Sequence, residues 1–182
     1  NGKTCVALSC SMVPDSGSLT IPSLVTTLEY RIFYNCVELT SVTFESDSRL
    51  ESIGTSAFES SGLINIIIPA SVTAISSEAF RACSDFTSVS FESGSRLENI
   101  GGSTFRSTGL TGIVIPATVV TIGADNFFDC SDFTSVIFES GSELESIGNN
   151  AFVNTDLASI IIPASVTTIG DRAFQGCSLL TI

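Results

Sequence analysis

The chain has 182 residues, of which 43% are hydrophobic and 14% are charged, so it holds enough apolar material for the core of one domain. Nineteen acidic residues oppose seven basic ones, and the net charge of -12 would repel the phosphates of nucleic acid and of anionic lipid. No apolar run reaches the roughly 18 residues of a membrane-spanning helix. We therefore expect no nucleic-acid partner and no membrane insertion in this segment.

The first 18 residues differ from the rest of the chain, because they lack the repeated pattern that begins at Leu19. We expect residues 1–18 to form an N-terminal cap or a degenerate first rung that shields the open edge of a sheet. Their cysteines, Cys5 and Cys10, lie in the stretch TCVALSCSM, where a disulfide between them would indicate an oxidising compartment. Two buried free thiols are the alternative.

From Leu19 onward the sequence repeats with a period of 47 residues. The tripeptide Phe-Glu-Ser recurs at this period, and the steps from Ile21 to Phe44 and from Phe44 to Ile68 are 23 and 24 residues. The structural unit is therefore a rung of 23 or 24 residues. The period is also marked by prolines that each follow an isoleucine, namely Pro22, Pro69, Pro116 and Pro163.

Each rung carries the pattern Leu/Phe-x-x-Val/Ile-x-Phe/Ile, whose alternation is typical of a half-buried β-strand. Turn residues and a second apolar pair follow, such as Val72 with Ile75, and a phenylalanine closes the rung. The regular prolines and the many β-branched residues disfavour paired helices of the HEAT type. One rung buries only about six apolar side chains, too few to offset the ordering of about 23 residues. The rungs must therefore stack on one another.

The repeat resembles the BspA-type subclass of the leucine-rich repeat family, whose rungs read like IPASVTTIGDRAFQGC followed by a short LxxIxI strand. The resemblance covers almost all of Leu19 to Ile182. It implies a leucine-rich repeat β-solenoid of about eight rungs, with a parallel β-sheet on one face and turns, short second strands or 3-10 segments on the other. We expect residues 19–182 to form this solenoid, and the native chain to continue beyond Ile182.

The resemblance also implies a secreted or surface-exposed binding or adhesion protein, with no catalytic residues to transfer. The sequence agrees, since it has no histidine to act as the base of a serine or cysteine triad and no phosphate-binding loop. We expect a non-enzymatic, extracellular or cell-surface protein without a cofactor or a metal.

Four cysteines take equivalent positions two rungs apart. Their Cα atoms should lie about 9.6 Å from one another, whereas a disulfide needs less than about 7 Å. We expect a column of small, buried core residues rather than disulfides or a metal ladder. The column consists of Cys36, Cys83, Cys130 and Cys177.

Carboxylates fall in register in the same way. Charges about 9.6 Å apart in water repel one another by only about 0.4 kcal/mol, so such columns are tolerated without a ligand. Calcium would need six to eight converging oxygens. A polysaccharide-acting enzyme that uses two of these carboxylates is a remote alternative. The columns are Glu38, Asp85 and Asp132; Glu45, Glu92 and Glu139; and Glu51, Glu98 and Glu145.

The outward side of the strands is the candidate site, which we call the strand face. Alternation places Thr43, Ile67, Ser90, Val114, Ile137 and Ile161 outward, and two residues earlier Ser41, Asn65, Ser88, Gly112, Ser135 and Ser159.

Repeat solenoids commonly bind through such an extended face, which predicts a protein partner, such as a host, matrix or cell-surface protein, or a glycan. Strand propensity alone would also explain the β-branched residues, and then the chain would be a structural spacer or a self-assembling surface scaffold.

Overall fold

The computed structural model describes residues 8–180, which form a solenoid of parallel β-strands with almost no helix. A short 3-10 helix, Cys10–Met12, precedes the strands. In the part of the chain from residue 8 to residue 180, no helix is long and apolar enough to cross a bilayer.

The strands of the first face are four residues long and pair in parallel, as the alternating pattern predicts. They are β1 (Ser18–Ile21), β3 (Ser41–Phe44), β5 (Asn65–Ile68), β7 (Ser88–Phe91), β9 (Gly112–Ile115) and β11 (Ser135–Phe138). The seventh rung adds a single parallel bridge between Ser135 and Ser159.

The second face is a parallel sheet of seven two-residue strands. They are β2 (Thr27–Leu28), β4 (Ser52–Ile53), β6 (Ala74–Ile75), β8 (Asn99–Ile100), β10 (Thr121–Ile122), β12 (Ser146–Ile147) and β13 (Thr168–Ile169). The described residues thus form seven rungs, one fewer than predicted, because the segment before β1 contains a 3-10 helix where an eighth rung would need strands.

Apolar side chains from both sheets fill the space between them, and the closing phenylalanines form a continuous stack through it. Neighbouring rings along this stack lie 5.1 to 5.6 Å apart, within the range in which aromatic pairs attract. The rings share one side of every rung, so each rung is packed against both neighbours. The stack consists of Phe33, Phe58, Phe80, Phe105, Phe127, Phe152 and Phe174.

Between the second sheet and the next strand of the first face, every rung makes a turn in which two residues four apart have positive φ. In the second rung these are Ser56 (φ 54°) and Ser60 (φ 57°). Ser56, Phe58 and Ser60 donate their N–H groups to carbonyl oxygens of the following rung at 2.8 to 3.1 Å. We call this segment the turn side, and its hydrogen bonds run toward the C-terminal end.

On the opposite flank of each rung, the backbone hydrogen bonds run toward the N-terminal end. Glu45, Arg49 and Gly54 each donate the backbone N–H to a carbonyl oxygen of the preceding rung, at 3.1, 3.0 and 2.7 Å. Consecutive rungs are therefore joined by two sets of backbone hydrogen bonds with opposite polarity, in addition to the two sheets.

Cys10 forms a disulfide, but its partner is not Cys5, as was predicted. Cys10 is bonded to Cys36, with Cα atoms 5.6 Å apart, while Cys5 lies outside the described residues. The bond ties the 3-10 helix to the first full rung, because the chain between them folds back along β1 and β2. Sequence spacing could not reveal it, since Cys36 also fits the column of equivalent cysteines.

The remaining cysteines of that column are free thiols, buried at Cys83 and Cys130 and half-buried at Cys177. The buried thiols donate to the carbonyl oxygens of Phe58 and Phe105 at 2.9 Å. Burial raises the pKa of Cys83 and of Cys130 above the ordinary value of 9.0. They act as small core residues, as the sequence predicts for the whole column, but the prediction is wrong for Cys36, which is buried in the disulfide with Cys10.

Candidate partner-binding face

All six residues predicted in the main row of the strand face are exposed. The aliphatic ones are prominent, with exposed fractions of 58% for Ile67, 46% for Val114, 58% for Ile137 and 87% for Ile161. The residues on either side of them point inward, so the apolar side chains lie on one side of the sheet. In-register pairing sets Ile67 beside Ser90 and Val114 beside Ile137.

The second row is more polar. Asn65, Ser88, Ser135 and Ser159 are exposed, whereas Ser41 and Gly112 are half-buried. A β-carbon on Gly112 would lie 2.5 Å from Oγ of Ser135, so glycine leaves the room that this serine uses.

Sequence reasoning missed Thr20, which extends the strand face into the first rung. Thr20 is exposed, pairs in register with Thr43, and its Oγ1 lies 2.9 Å from Oγ1 of Thr43, within hydrogen-bond distance. The dipeptide Ile21-Pro22, which matches the later rungs, was the signal that could have placed it.

The strand face is not one continuous sheet. Strands β1, β3, β5 and β7 form a four-stranded sheet, whereas β9 and β11 pair separately. In the seventh rung, the described residues after Ser159 make no further ladder pairing with β11. The inward residues Ile160 and Ile162 are only half-buried there, although their counterparts Ile113 and Ile115 are 5% and 0% exposed.

This divergence opens a groove of about 660 Å³ between β11 and the seventh rung. Its walls are largely apolar, and they include Ile137, Phe138, Ile161 and Pro163. Serine hydroxyls lie along it, and Glu139 contributes a carboxylate. The groove is therefore a concave apolar site with one charged group, located at one end of the strand face.

Carboxylates border the strand face where strands β3, β7 and β11 end. Glu45, Glu92 and Glu139 are exposed, and each accepts a backbone hydrogen bond from the preceding rung through Oε2. The donors are the N–H groups of Ser23, Ala70 and Ala117, at 2.8, 3.0 and 3.1 Å. These bonds hold the three carboxylates in one repeated orientation.

The other predicted carboxylates of the described chain do not group at metal-ligand spacing. Among residues 8–180, the one group of three side chains with metal-ligand spacing is Cys10, Cys36 and Glu38, and its two sulfurs are joined in the disulfide. The remaining members of the three acidic columns are exposed and separate.

None of the described arginines lies in a strand of the first face, although Arg49 and Arg96 follow β3 and β7 by five residues. Arg31 packs over the rings of Tyr30 and Tyr34, and Arg81 forms ion pairs with Glu59 and Glu78 at 3.3 and 3.8 Å. Both arginines belong to the turn side. The strand face is therefore apolar and hydroxylated in its centre and acidic at its border.

A family model described as "BspA type Leucine rich repeat region" matches six copies, over residues 11–133 and 98–182. No curated protein matches the chain. Among solved structures, a leucine-rich repeat protein of T. pallidum (TpLRR) superposes with a TM-score of 0.81 and 25% identity, covering 92% of this chain and 79% of that one.

Two further structures share the fold. The pneumococcal vaccine antigen PcpA superposes with a TM-score of 0.69 and 21% identity, covering 90% of this chain. A leucine-rich cell surface protein of Faecalibacterium prausnitzii superposes with a TM-score of 0.57 and 23% identity, covering 92% of this chain. The chain spans 60% of the length of the PcpA structure and 47% of the F. prausnitzii one.

Proposed function

The chain belongs to the BspA-type leucine-rich repeat family, and we propose that it is a non-enzymatic, extracellular or cell-surface module that binds a protein partner through the strand face. The observation that carries the proposal is the exposure of Ile67, Val114, Ile137 and Ile161 in one row of the strand face. Exposed aliphatic side chains grouped on one face, as Val114, Ile137 and Ile161 are on adjacent rungs, are typical of an interaction surface.

Two further observations support an extracellular setting. The disulfide between Cys10 and Cys36 is a type of bond that persists in oxidising compartments. Two of the structural relatives are described as a cell surface protein and a vaccine antigen, which agrees with a role outside the cell.

The test is a binding assay on extracellular matrix proteins, host cell surfaces and glycans, with a variant in which Ile67, Ile137 and Ile161 are all changed to Asp. We expect saturable binding to a protein that this variant loses by a factor of at least ten. The matched control changes three exposed apolar residues outside the strand face, Leu24, Tyr30 and Ile169, to Asp. The control should bind like the unchanged protein.

Circular dichroism must show that both variants keep the fold. Binding that survives the change at the strand face would place the interface elsewhere and contradict the proposal. Absence of saturable binding throughout the panel would favour the spacer or scaffold, and saturable binding to glycans alone would make the partner a carbohydrate.

A further inference from the structure

We propose that the partner presents an extended polyproline II segment with a basic residue at every third position, which lies across the strands and along the solenoid axis. This proposal rests on the binding role proposed above and names the chemistry of the ligand. It follows from the spacing of charged and apolar groups on the strand face.

The bordering carboxylates set one spacing. Glu45, Glu92 and Glu139 occupy every second rung, which is about 9.6 Å at the ideal strand spacing. Glu45 and Glu92 share the four-stranded sheet, whereas Glu139 lies beyond the break between β7 and β9. A polyproline II helix has three residues per turn and rises about 3.1 Å per residue, so it presents the same side every ~9.3 Å. The mismatch is about 0.3 Å between Glu45 and Glu92, and a flexible lysine side chain absorbs this as well as the change of spacing at the break.

Other regular ligands fit less well. In a β-strand, residues three apart point to opposite sides, so they cannot reach one row of carboxylates together. An α-helix returns to nearly the same side after seven residues, about 10.5 Å along its axis. Its mismatch is about 0.9 Å between Glu45 and Glu92, three times that of the polyproline II helix.

The apolar side chains follow the same period of two rungs. Ile67, Val114 and Ile161 also occupy every second rung, displaced by one rung from the carboxylates. A segment with one basic residue in three therefore has apolar residues available for these side chains. Proline fits them, because its ring is apolar and its fixed φ lowers the entropy lost on binding.

The groove gives the segment an anchor at one end. Ile137, Ile161 and Pro163 form its apolar wall, and Glu139 lies in the same groove. A proline of the ligand can enter the groove while a neighbouring lysine meets the carboxylate. Apolar grooves commonly recognise polyproline II segments in this way, since such segments form no internal hydrogen bonds and are already extended.

The charge of the strand face selects a cationic ligand. Oε2 of each bordering carboxylate is held by a backbone N–H group, and within residues 8–180 Oε1 makes no hydrogen bond or ion pair. None of the described arginines lies in a strand of this face. Arg49 and Arg96 follow Glu45 and Glu92 by four residues, whereas Glu143 stands at that position after Glu139. None of the ion pairs within residues 8–180 joins these arginines to the bordering carboxylates, so lysine or arginine side chains of a ligand would meet unpaired carboxylates, with the least competition at Glu139.

The test measures fluorescence anisotropy of a labelled peptide made of five Pro-Pro-Lys repeats. The comparison peptide has the same composition, with its lysines grouped at one end. We expect the periodic peptide to bind at least tenfold more tightly at low salt, and its affinity to fall as salt screens the charges.

A charge variant of the protein locates the site. Changing Glu45, Glu92 and Glu139 together to Gln keeps an amide oxygen that can accept the backbone hydrogen bonds but removes the charges. We expect at least a tenfold loss of affinity for the periodic peptide. The matched control changes Glu51, Glu98 and Glu145 to Gln, since these exposed residues have the same spacing but precede the second sheet.

Equal affinity for the two peptides would show that the spacing of the lysines does not matter and would overturn the proposal. Equal losses of affinity in the two Gln variants would show that the peptide binds by general charge attraction and would also overturn it. If neither peptide binds while a protein of the panel binds through Ile67, Ile137 and Ile161, the polyproline II ligand is wrong and the proposed function stands. If changing these isoleucines to Asp leaves peptide binding unaffected, the strand face is not the binding site, and the proposed function is wrong as well.

Discussion

At the scale of single residues, the turn side requires backbone conformations that most side chains disfavour. Thirteen residues other than glycine in these turns have positive φ, and Ala82 has a φ of 57°. The equivalent position of the last rung is Gly176, with a φ of 79°. The left-handed conformation costs an alanine roughly 1 kcal/mol, and glycine adopts it freely.

We therefore expect Ala82→Gly to raise the free energy of unfolding by about 1 kcal/mol, although glycine usually destabilises regular structure. The control is Ala70→Gly, at a position outside the left-handed region, where the same change should lower stability. Urea denaturation of the two variants and of the unchanged protein measures both effects. A loss of stability in both variants would contradict the account of the turn side.

The buried thiols should make the folded chain less stable at alkaline pH. Burial raises the pKa of Cys83 and Cys130, so the folded chain keeps two protons that the unfolded chain releases near its ordinary pKa of 9.0. The free energy of unfolding should therefore be independent of these thiols below pH 8 and should fall as pH rises above about 9. Denaturation between pH 7.5 and 10.5 measures the slope.

The double variant Cys83→Ala and Cys130→Ala should be less stable at pH 7.5, but its stability should fall less steeply above pH 9. An identical slope in the variant would assign the alkaline loss to other groups.

At the scale of the element, the disulfide fixes the 3-10 helix Cys10–Met12 to the first rung. It closes a loop with a sequence separation of 26, and bonds of this kind typically contribute about 2 to 4 kcal/mol. Cys10→Ser should lower stability by that amount, and it should increase hydrogen exchange in β1 and β3 while β9 and β11 keep their protection. Uniform loss of protection along the solenoid would show that the bond stabilises the whole array.

The sequence predicted the features that recur in every rung and did not predict those that occur only once. The period of 47 residues placed the strands and the exposed side chains of Ile67 and Ile137 correctly, because burial acts in the same way on every rung. It could not predict the partner of Cys10, since the region before β1 has no second copy. Nor could it predict the groove, because Ile160 and Ile162 match their buried counterparts in sequence. They differ in pairing and in their place in the last described rung, where Ile169 is exposed as well.

At the scale of the whole molecule, stability belongs to the stack rather than to any rung. Phe105 is fully buried and stacks on Phe80, Phe86 and Phe127, whereas Phe174 is only half-buried at the last described rung. Phe105→Ala should cost about 3 to 5 kcal/mol and interrupt contacts in both directions. Phe174→Ala should cost clearly less.

Calorimetry distinguishes the central variant, Phe105→Ala, from the terminal variant, Phe174→Ala. The central variant should broaden the unfolding transition or split it into two, since the rungs on either side lose their coupling. The terminal variant should keep one transition. A single, equally sharp transition in both would show that the array unfolds as one unit even with its phenylalanine stack interrupted.

The opposed hydrogen bonds on the two flanks have a consequence for length. In an α-helix, aligned peptide groups add to a macrodipole. Here Phe58 donates toward the C-terminal end, whereas Gly54 of the same rung donates toward the N-terminal end, so their dipoles oppose each other. The dipoles of the bonds that run forward thus cancel part of those that run backward, and an inserted rung would find backbone partners on both of its sides, so the reach of the molecule can change in steps of about 4.8 Å.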